Sequence, residues 1–217
     1  MTSESDVLEG ICEAARRLHA RNLLAAGDGN LSVRMADGRV AITPSGVAKA
    51  RLSPKDMAYL ALDGSVLSGR PSSERFMHLT IYGACPEARC VVHAHPPTAI
   101  AWTVARPELH ELPSEALPEL ILSAGRIPIV PYAQPGTEAM GRSLEPFLPG
   151  ARLLLLARHG AVCWGEDLEE ACMGLERLEH IAQILKAAVE LGGICAMDAS
   201  ELDVLRAARI KLGPRIR

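Results

Sequence analysis

The sequence predicts an α/β protein of the α+β type, in which helices flank a central, mainly antiparallel sheet. Helical patterns and short β-like segments are mixed along the chain without strict βαβ alternation, which favours this arrangement over a doubly wound parallel sheet. The chain has 217 residues, and no linker, repeat or low-complexity tract divides it. We therefore expect one domain over residues 1–217, large enough to form a core without disulfide support.

The amino-terminal half predicts three helices and four strands. Asp6 and Glu9 have the spacing of a capping box and open a helix whose apolar residues recur at helical intervals. The elements that follow are strands over residues 31–35, 40–43 and 57–62, a helix over 74–84, a strand over 90–95 and a helix over 98–105.

The carboxy-terminal half predicts further strands and three helices. In chain order they are a strand over residues 127–130, a helix over 136–147, a hairpin or bent strand over 152–164, a long helix that ends near residue 191, and a last helix over 200–212. Asp167 caps the long helix with Glu170 at its third position, and Gly192 and Gly193 end it.

The composition argues against several classes of partner. A net charge of −3 without a basic block offers no footprint for nucleic acid or an anionic membrane surface. The six cysteines form no C-x-x-C pair, which is typical of small buried residues in a reducing compartment. The polar, acidic start differs from a signal peptide, and the longest apolar run, residues 153–157, is far shorter than the ~20 residues of a membrane span. We expect a cytoplasmic protein.

Three histidines are candidates for a metal site. In a strand, His93 and His95 point to the same face, so their imidazoles lie side by side as nitrogen ligands of a metal require. His159 follows an apolar strand and precedes Gly160, and it is the best third ligand. Three protein ligands with one open position are typical of catalytic zinc. The alternative is a hydrogen-bonded histidine pair at a strand end.

The remaining histidines have simpler interpretations. We expect His19 on the surface of the first helix, His110 in a polar loop, and His180 either facing solvent or packed within the long helix. His78 lies one helical turn after Glu74, on the same helix face. It is either a packed histidine, which we favour, or a partner that supports the metal site.

Three small polar loops are candidates for substrate binding. They are Gly27-Asp28-Gly29-Asn30, Thr43-Pro44-Ser45-Gly46 and Pro71-Ser72-Ser73-Glu74. The last of these opens a helix, and the free N–H groups of a helix N-terminus bind anions such as phosphate. Each loop taken alone is equally an ordinary turn or a serine cap.

Taken in order, these motifs match one known family. The matching stretches are Gly29-Asn30-Leu31-Ser32, Ile42-Thr43-Pro44-Ser45-Gly46, Pro71-Ser72-Ser73-Glu74, Val91-Val92-His93-Ala94-His95-Pro96, Pro131-Tyr132 with Gly136-Thr137, and His159-Gly160. Over nearly its whole length the chain resembles the class II aldolase/adducin family, and within it the fuculose-phosphate-aldolase branch. The resemblance implies the fold predicted above and a homotetramer with fourfold symmetry and active sites at subunit contacts.

The resemblance also implies a role for each motif. Zinc, with Mn²⁺ or Co²⁺ as alternatives, would be held by His93, His95 and His159, and Glu74 would be the acid/base. The phosphate of a ketose 1-phosphate would lie among Gly29, Asn30, Thr43, Ser45, Gly46, Ser72 and Ser73. The expected reaction is the cleavage or formation of a fuculose, deoxyribulose or methylthioribulose 1-phosphate through the enediolate of dihydroxyacetone phosphate.

One departure from the family pattern keeps other functions open. The aldolases use a tyrosine from a neighbouring subunit in the stretch that matches residues 114–119, where this chain has none. Ser114, Glu115 or Glu119 would replace it, and we prefer Glu119. The alternatives are a decarboxylase of a phosphorylated 3-keto sugar acid, with Arg126 or Arg158 binding the departing carboxylate, and a non-catalytic, adducin-like assembly module.

Overall fold

The computed structural model describes residues 3–216 and contains one eight-stranded sheet. The strands are β1 (Asn30–Arg34), β2 (Val40–Ile42), β3 (Ala58–Leu60), β4 (Val66–Ser68), β5 (Cys90–Ala94), β6 (Ile129–Val130), β7 (Leu153–Leu156) and β8 (Gly160–Gly165). Their order across the sheet is β4-β3-β2-β1-β5-β8-β7-β6. Among these described strands only the pairing of β6 with β7 is parallel, so the predicted, mainly antiparallel sheet is confirmed.

Seven α-helices in the described residues surround this sheet. They are α1 (Glu4–Ala20), α2 (Arg75–Ala84), α3 (Pro97–Ala105), α4 (Pro118–Ser123), α5 (Glu138–Leu144), α6 (Leu168–Glu190) and α7 (Ala199–Leu212). None of them is long and apolar enough to span a bilayer. Residues 152–164, predicted as a hairpin or a bent strand, form the hairpin of β7 and β8, and Asp167 caps α6 by accepting a hydrogen bond from the Glu170 N–H.

The sequence missed two short elements and misplaced one cap. β4 has three residues, all exposed, and α4 has six residues, so neither is long enough to show a periodic pattern. Helix α1 begins earlier than predicted because Ser3 and Asp6, rather than Asp6 and Glu9, form its capping box. Five of the six cysteines are buried as expected, whereas Cys195 is exposed.

Two apolar layers cover the opposite faces of the sheet, because successive side chains of a strand point to opposite sides. One layer packs β5 and β8 against α1, α3 and α6, and it contains Ile11, Val92, Trp102 and Leu175. The other packs the same strands against α2 and α5, and it contains Met77, Val91 and Leu154. The shared strands β5 and β8 are therefore buried on both faces, which holds their ends in fixed positions.

Arg215 and Ile216, near the carboxy-terminal end, are hydrogen-bonded to one buried carboxylate. Glu170 is 1% exposed, and it accepts hydrogen bonds from Arg152 Nη1 at 2.9 Å, the Glu166 N–H at 3.0 Å, Arg215 Nε at 2.9 Å and the Ile216 N–H at 2.9 Å. Four donors satisfy both carboxylate oxygens, which compensates for the cost of burying the charge.

Replacing Glu170 with Gln should destabilise the fold strongly. The variant removes the more deeply buried of the two carboxylates that pair with the buried Arg152 guanidinium, the other being Glu166, and breaking one partner of a buried ion pair costs about 3 kcal/mol or more. Chemical denaturation measures the free energy of unfolding. Glu169→Gln is the matched control, because its carboxylate pairs with Arg17 at the surface and is 60% exposed. Equal stabilities of the two variants would contradict the anchoring role.

Candidate metal centre and active site

Two structural elements bring the three predicted histidines together. His93 lies in β5 and His95 directly follows that strand, while His159 occupies the turn between β7 and β8. Strand β8 pairs with β5 so that His93 is opposite Val162. One ligand atom from each imidazole lies within 4.8 Å of the others. The ring centroids are 4.7 to 5.3 Å apart, which makes a compact group of three nitrogen donors.

Glycine at position 160 allows this approach. A Cβ atom there would lie 2.6 Å from the Ala94 carbonyl oxygen and 2.8 Å from ring carbons of His93 and His95. Any larger residue would push the β7–β8 turn away from the end of β5. The turn is also held from the other side, because the Arg158 N–H donates to Thr103 Oγ1 at 2.8 Å.

The electrostatics of the group favour neutral imidazoles. Burial lowers the pKa of His93 well below its usual value, with further lowering by His95 and His159, and burial also lowers the pKa of His159 to about 4. The His93 Nδ1–H donates to the Ala161 carbonyl at 2.9 Å, so the Nε2 lone pair faces His95 Nε2 at 3.0 Å. Neutral imidazoles with convergent lone pairs are the form that binds a metal ion.

Glu74 lies beside the histidines at the start of α2. Its Oε2 is 3.8 Å from His159 Nε2, and its side chain is only 11% exposed. Burial raises the pKa of Glu74, while a hydrogen bond from the Gly136 backbone opposes that rise. Both Glu74 Oε2 and His159 Nδ1 are buried without a hydrogen-bond partner among residues 3–216. A divalent cation would satisfy the free carboxylate oxygen and take a lone pair from the imidazole, so the residues present fit a metal site.

The three polar loops meet at the same end of the sheet. Asn30 is opposite His93 in the pairing of β1 with β5, and Gly29 can only be glycine because a Cβ would lie 2.7 Å from the His93 carbonyl. The loop over residues 43–46 runs beside the loop over 71–74, since the Ser72 N–H donates to the Thr43 carbonyl at 3.1 Å. Gly29 and Asn30 therefore adjoin His93, and the two serines directly precede Glu74, which lies beside His159. Ser73 and Gly46 are exposed, and Ser45 is half-buried.

His78 is the packed histidine that we favoured, and it contacts one of these loops. It is completely buried, and burial lowers its pKa to about 3. The neutral ring donates from Nε2 to Asn30 Oδ1 at 2.5 Å and accepts at Nδ1 from Ser32 Oγ at 2.7 Å. Tyr82 OH lies 2.8 Å from Ser32 Oγ and extends the chain of hydrogen bonds. The side-chain carbonyl oxygen of Asn30 is thus held by His78, which leaves its amide N–H groups for another partner.

Of the remaining candidates, Ser114 is buried, whereas Glu115 and the others lie on the surface of the single chain. His19 and His110 are exposed, as expected. His180 is also exposed, which agrees with the solvent-facing interpretation rather than the packed one. Glu119 is exposed on α4, and its expected role at a neighbouring subunit's site stays a prediction.

The two candidate arginines are also exposed, and they differ in their surroundings. Arg126 forms an ion pair with Glu111 at 2.5 Å, whereas Arg158 adjoins His159 and has a positive φ of 60°.

Two neighbours of the site were not among the predicted residues. Asp28 Oδ2 lies 3.8 Å from His95 Nδ1, and Gly136 contacts the carboxylate of Glu74 through its backbone. A Cβ at Gly136 would lie 3.5 Å from Ser73 Cβ, so this loop covers the start of α2. Asp28 lies next to one of the motifs that carried the family resemblance, and Gly136 lies inside another. Gly136 acts through its backbone, so its residue type gives no side-chain signal of this role.

A family model described as the class II aldolase and adducin N-terminal domain matches residues 9–185. The chain belongs to this family. The match spans the sheet and all the predicted site residues, which confirms the resemblance seen in the motifs. The likeness extends to a solved L-fuculose 1-phosphate aldolase, with a TM-score of 0.85 and 26% identity over 95% of this chain and 97% of that one.

Relatives within the family differ in their reactions. The chain is 33% identical to a 3-oxo-tetronate 4-phosphate decarboxylase from Cupriavidus necator, over 92% of each protein. It is 35% identical to a methylthioribulose-1-phosphate dehydratase from Methylococcus capsulatus, over 79% of this chain and 88% of that protein. At least five relatives are 3-oxo-tetronate 4-phosphate decarboxylases, and others are a dehydratase and aldolases, so membership establishes a family of sugar-phosphate enzymes.

Removing any one of His93, His95 or His159 should abolish metal binding. We expect the native protein to purify with about one divalent ion per chain, and each of the three Ala variants to lose it, because two imidazoles leave the coordination incomplete. Metal analysis of the purified proteins measures the occupancy. His180→Ala is the control, since its ring is exposed on α6. Full occupancy in His159→Ala would exclude that residue from the site.

Proposed function

We propose that this protein is a divalent-metal-dependent lyase that cleaves or forms a carbon–carbon bond beside the carbonyl of a phosphorylated ketose. The observation that carries the proposal is a buried carboxylate oxygen without a partner in the described residues, Glu74 Oε2, next to three neutral imidazoles. A reaction that forms a carbanion next to a carbonyl needs an electrophile at the oxygen and a proton carrier at the carbon. This arrangement offers residues for both tasks.

Aldol cleavage of a ketose 1-phosphate is the reaction we favour. A divalent cation, zinc by preference, held by His93, His95 and His159 would supply Lewis acidity at the ketone oxygen. As the C3–C4 bond breaks, its electrons remain with C3, and the C4 hydroxyl loses its proton to give the aldehyde. Glu74 then delivers a proton to C3, which yields dihydroxyacetone phosphate. We propose that Glu119 of a neighbouring subunit accepts the proton of the C4 hydroxyl, in place of the family's tyrosine.

The start of α2 supplies the phosphate site in this proposal. The Ser72 hydroxyl accepts a hydrogen bond from the Glu74 N–H at 3.3 Å, and the exposed Ser73 hydroxyl belongs to the same loop. The N-terminal N–H groups of a helix favour an anion. Because Glu74 is the residue immediately before this helix, binding the phosphate there would set the distance between the carboxylate and the reacting carbon.

Decarboxylation of a phosphorylated 3-keto sugar acid is the second candidate. It is supported by the decarboxylase relatives and by the lack of a tyrosine in the stretch over residues 114–119. The three tyrosines of the chain are at positions 59, 82 and 132, and Tyr82 is buried in the hydrogen-bond chain of His78. Loss of CO₂ leaves the bonding electrons on the carbon next to the ketone, so Glu74 would again deliver a proton to that carbon. Arg158, next to His159, is the cation we assign to the carboxylate.

The assembly we propose is the family's homotetramer, with active sites at subunit contacts. Exposed apolar side chains support a larger assembly, since they occur on the edge strand β4, at the end of α6 and along α7. They include Val66, Leu67, Leu191, Val204 and Ile210. A non-catalytic, adducin-like role is disfavoured, because an assembly module has no need of a buried, unpartnered carboxylate among three imidazoles.

Product analysis separates these reactions. We expect the metal-loaded protein to release dihydroxyacetone phosphate from a ketose 1-phosphate, and to exchange the C3 proton of dihydroxyacetone phosphate with solvent deuterium when no aldehyde is present. Mass spectrometry and proton NMR follow the two processes. Release of CO₂ from a 3-keto-4-phospho sugar acid, with no cleavage of any ketose 1-phosphate, would replace the aldolase with the decarboxylase, and loss of water alone would indicate a dehydratase.

Replacing Glu74 with Gln should stop proton transfer without removing the metal. The change keeps the size of the side chain and eliminates the proton carrier, so turnover and C3 exchange should fall about 10²- to 10⁴-fold. Metal content should stay near the native level, because all three histidines remain. Glu87→Gln, an exposed change just beyond the other end of α2, is the control. Undiminished exchange in Glu74→Gln would mean that another residue is the base.

A further inference from the structure

Lys49 is buried between two of the loops that surround the site. It is 1% exposed, although lysine is almost never fully buried without a partner charge. Its ammonium donates to the Gly27 carbonyl at 2.8 Å and to the Val47 carbonyl at 3.1 Å, and its backbone N–H donates to the Ala26 carbonyl at 3.1 Å. One residue therefore makes three hydrogen bonds to the two loops.

These hydrogen bonds join the two loops that contain most of the proposed phosphate residues. Gly27 precedes Gly29 and Asn30, and Val47 follows Ser45 and Gly46. The loops also touch directly, because a Cβ at Gly27 would lie 3.8 Å from the Val47 carbonyl. The position of one loop relative to the other is thus set at the Lys49 ammonium.

The charge of Lys49 has no anionic partner in the described residues. No carboxylate there lies within ion-pair distance, and the carboxylate whose charge it senses is Asp28, which is 57% exposed. Burial lowers the pKa of Lys49, as expected for an ammonium removed from water. Two carbonyl groups satisfy hydrogen bonds but do not neutralise a charge, and an unpaired buried charge is costly. An anion bound nearby would offset that cost.

We propose that Lys49 is a positioning residue of the phosphate subsite. It holds the loops over residues 27–30 and 43–47 together, and it supplies positive charge to a subsite whose seven assigned residues are all uncharged. Lys49 is too deeply buried to contact the substrate, so it acts through the loop backbone and through its field in a region of low dielectric. This inference rests on the proposed function only for the location of the phosphate.

The binding of inorganic phosphate to the metal-loaded protein tests the proposal without any substrate. We expect phosphate to raise the Tm of the native protein, because a ligand that binds only the folded state stabilises it. Lys49→Met should weaken phosphate binding about tenfold while the metal content stays native; its unliganded Tm reflects both the buried charge that is removed and the two carbonyl groups left without a donor. Lys49→Arg should recover part of the affinity, since it keeps the charge.

Two control variants distinguish the positioning role of Lys49 from a general effect of surface charge and from phosphate binding at the metal. Lys55→Met removes one exposed positive charge nearby and should bind phosphate like the native protein. The double variant Ser72→Ala/Ser73→Ala should lose the part of the phosphate response that belongs to this subsite rather than to the metal. A merely structural role for Lys49 would instead leave the phosphate affinity unchanged, whatever the unliganded Tm.

The possible failures are distinguishable. Equal phosphate affinity in Lys49→Met, Lys55→Met and the native protein would overturn the role of Lys49 and leave the phosphate assignment standing. A phosphate response that the serine double variant does not reduce would overturn the phosphate assignment, and the role of Lys49 with it. If Lys49→Met does not fold, Lys49→Gln provides the same comparison, because its amide still donates to the loop carbonyls but carries no charge.

Discussion

The site depends above all on the close approach of two strand ends at Gly160. Strand β8 begins there, directly beside the last residues of β5, and a Cβ atom would lie 2.6 Å from the Ala94 carbonyl. Because the two strand ends lie so close, the β7–β8 turn, which contains His159, is next to His93 and His95. Because β5 and β8 are buried on both faces by separate apolar layers, these strand ends cannot shift independently. The geometry of the histidine group is therefore a property of the sheet rather than of a mobile loop.

The same burial gives the group its chemistry. Desolvation keeps His93 and His159 neutral and raises the pKa of Glu74. Within the described residues, Glu74 Oε2 and His159 Nδ1 are buried without a hydrogen-bond partner. Such an arrangement costs stability in the free protein, and it is compensated only when a cation or a proton arrives. Lys49 is the opposite case, a buried cation without an anion within ion-pair distance among the described residues. The protein therefore holds two buried groups that need partners of opposite kind, a cation or a proton at Glu74 and an anion near Lys49.

The sequence predicted most of the long elements because their signals are local. The long helix α6 was found from its cap at Asp167 and its apolar period, and the β7–β8 hairpin from two apolar runs around a polar turn. The same reasoning missed β4 and α4, which are too short to show a period, and it placed the first capping box at Asp6 and Glu9 instead of Ser3 and Asp6. Alternation along β5 was sufficient to place His93 and His95 on one face, since strand geometry fixes that relation without tertiary information.

By itself, then, the sequence determined the fold class, the family, and a histidine pair with a third candidate ligand. Each of these depends on residue type and short-range spacing. Only the tertiary structure decided which groups lack partners within residues 3–216 and which are joined: the free oxygen of Glu74, the hydrogen-bond chain from Tyr82 through His78 to Asn30, and the buried ammonium of Lys49. A lysine or a glutamate in a sequence is ordinarily a solvated surface residue. Its burial results from packing between segments distant in the chain, and that packing has no local pattern from which it could be predicted.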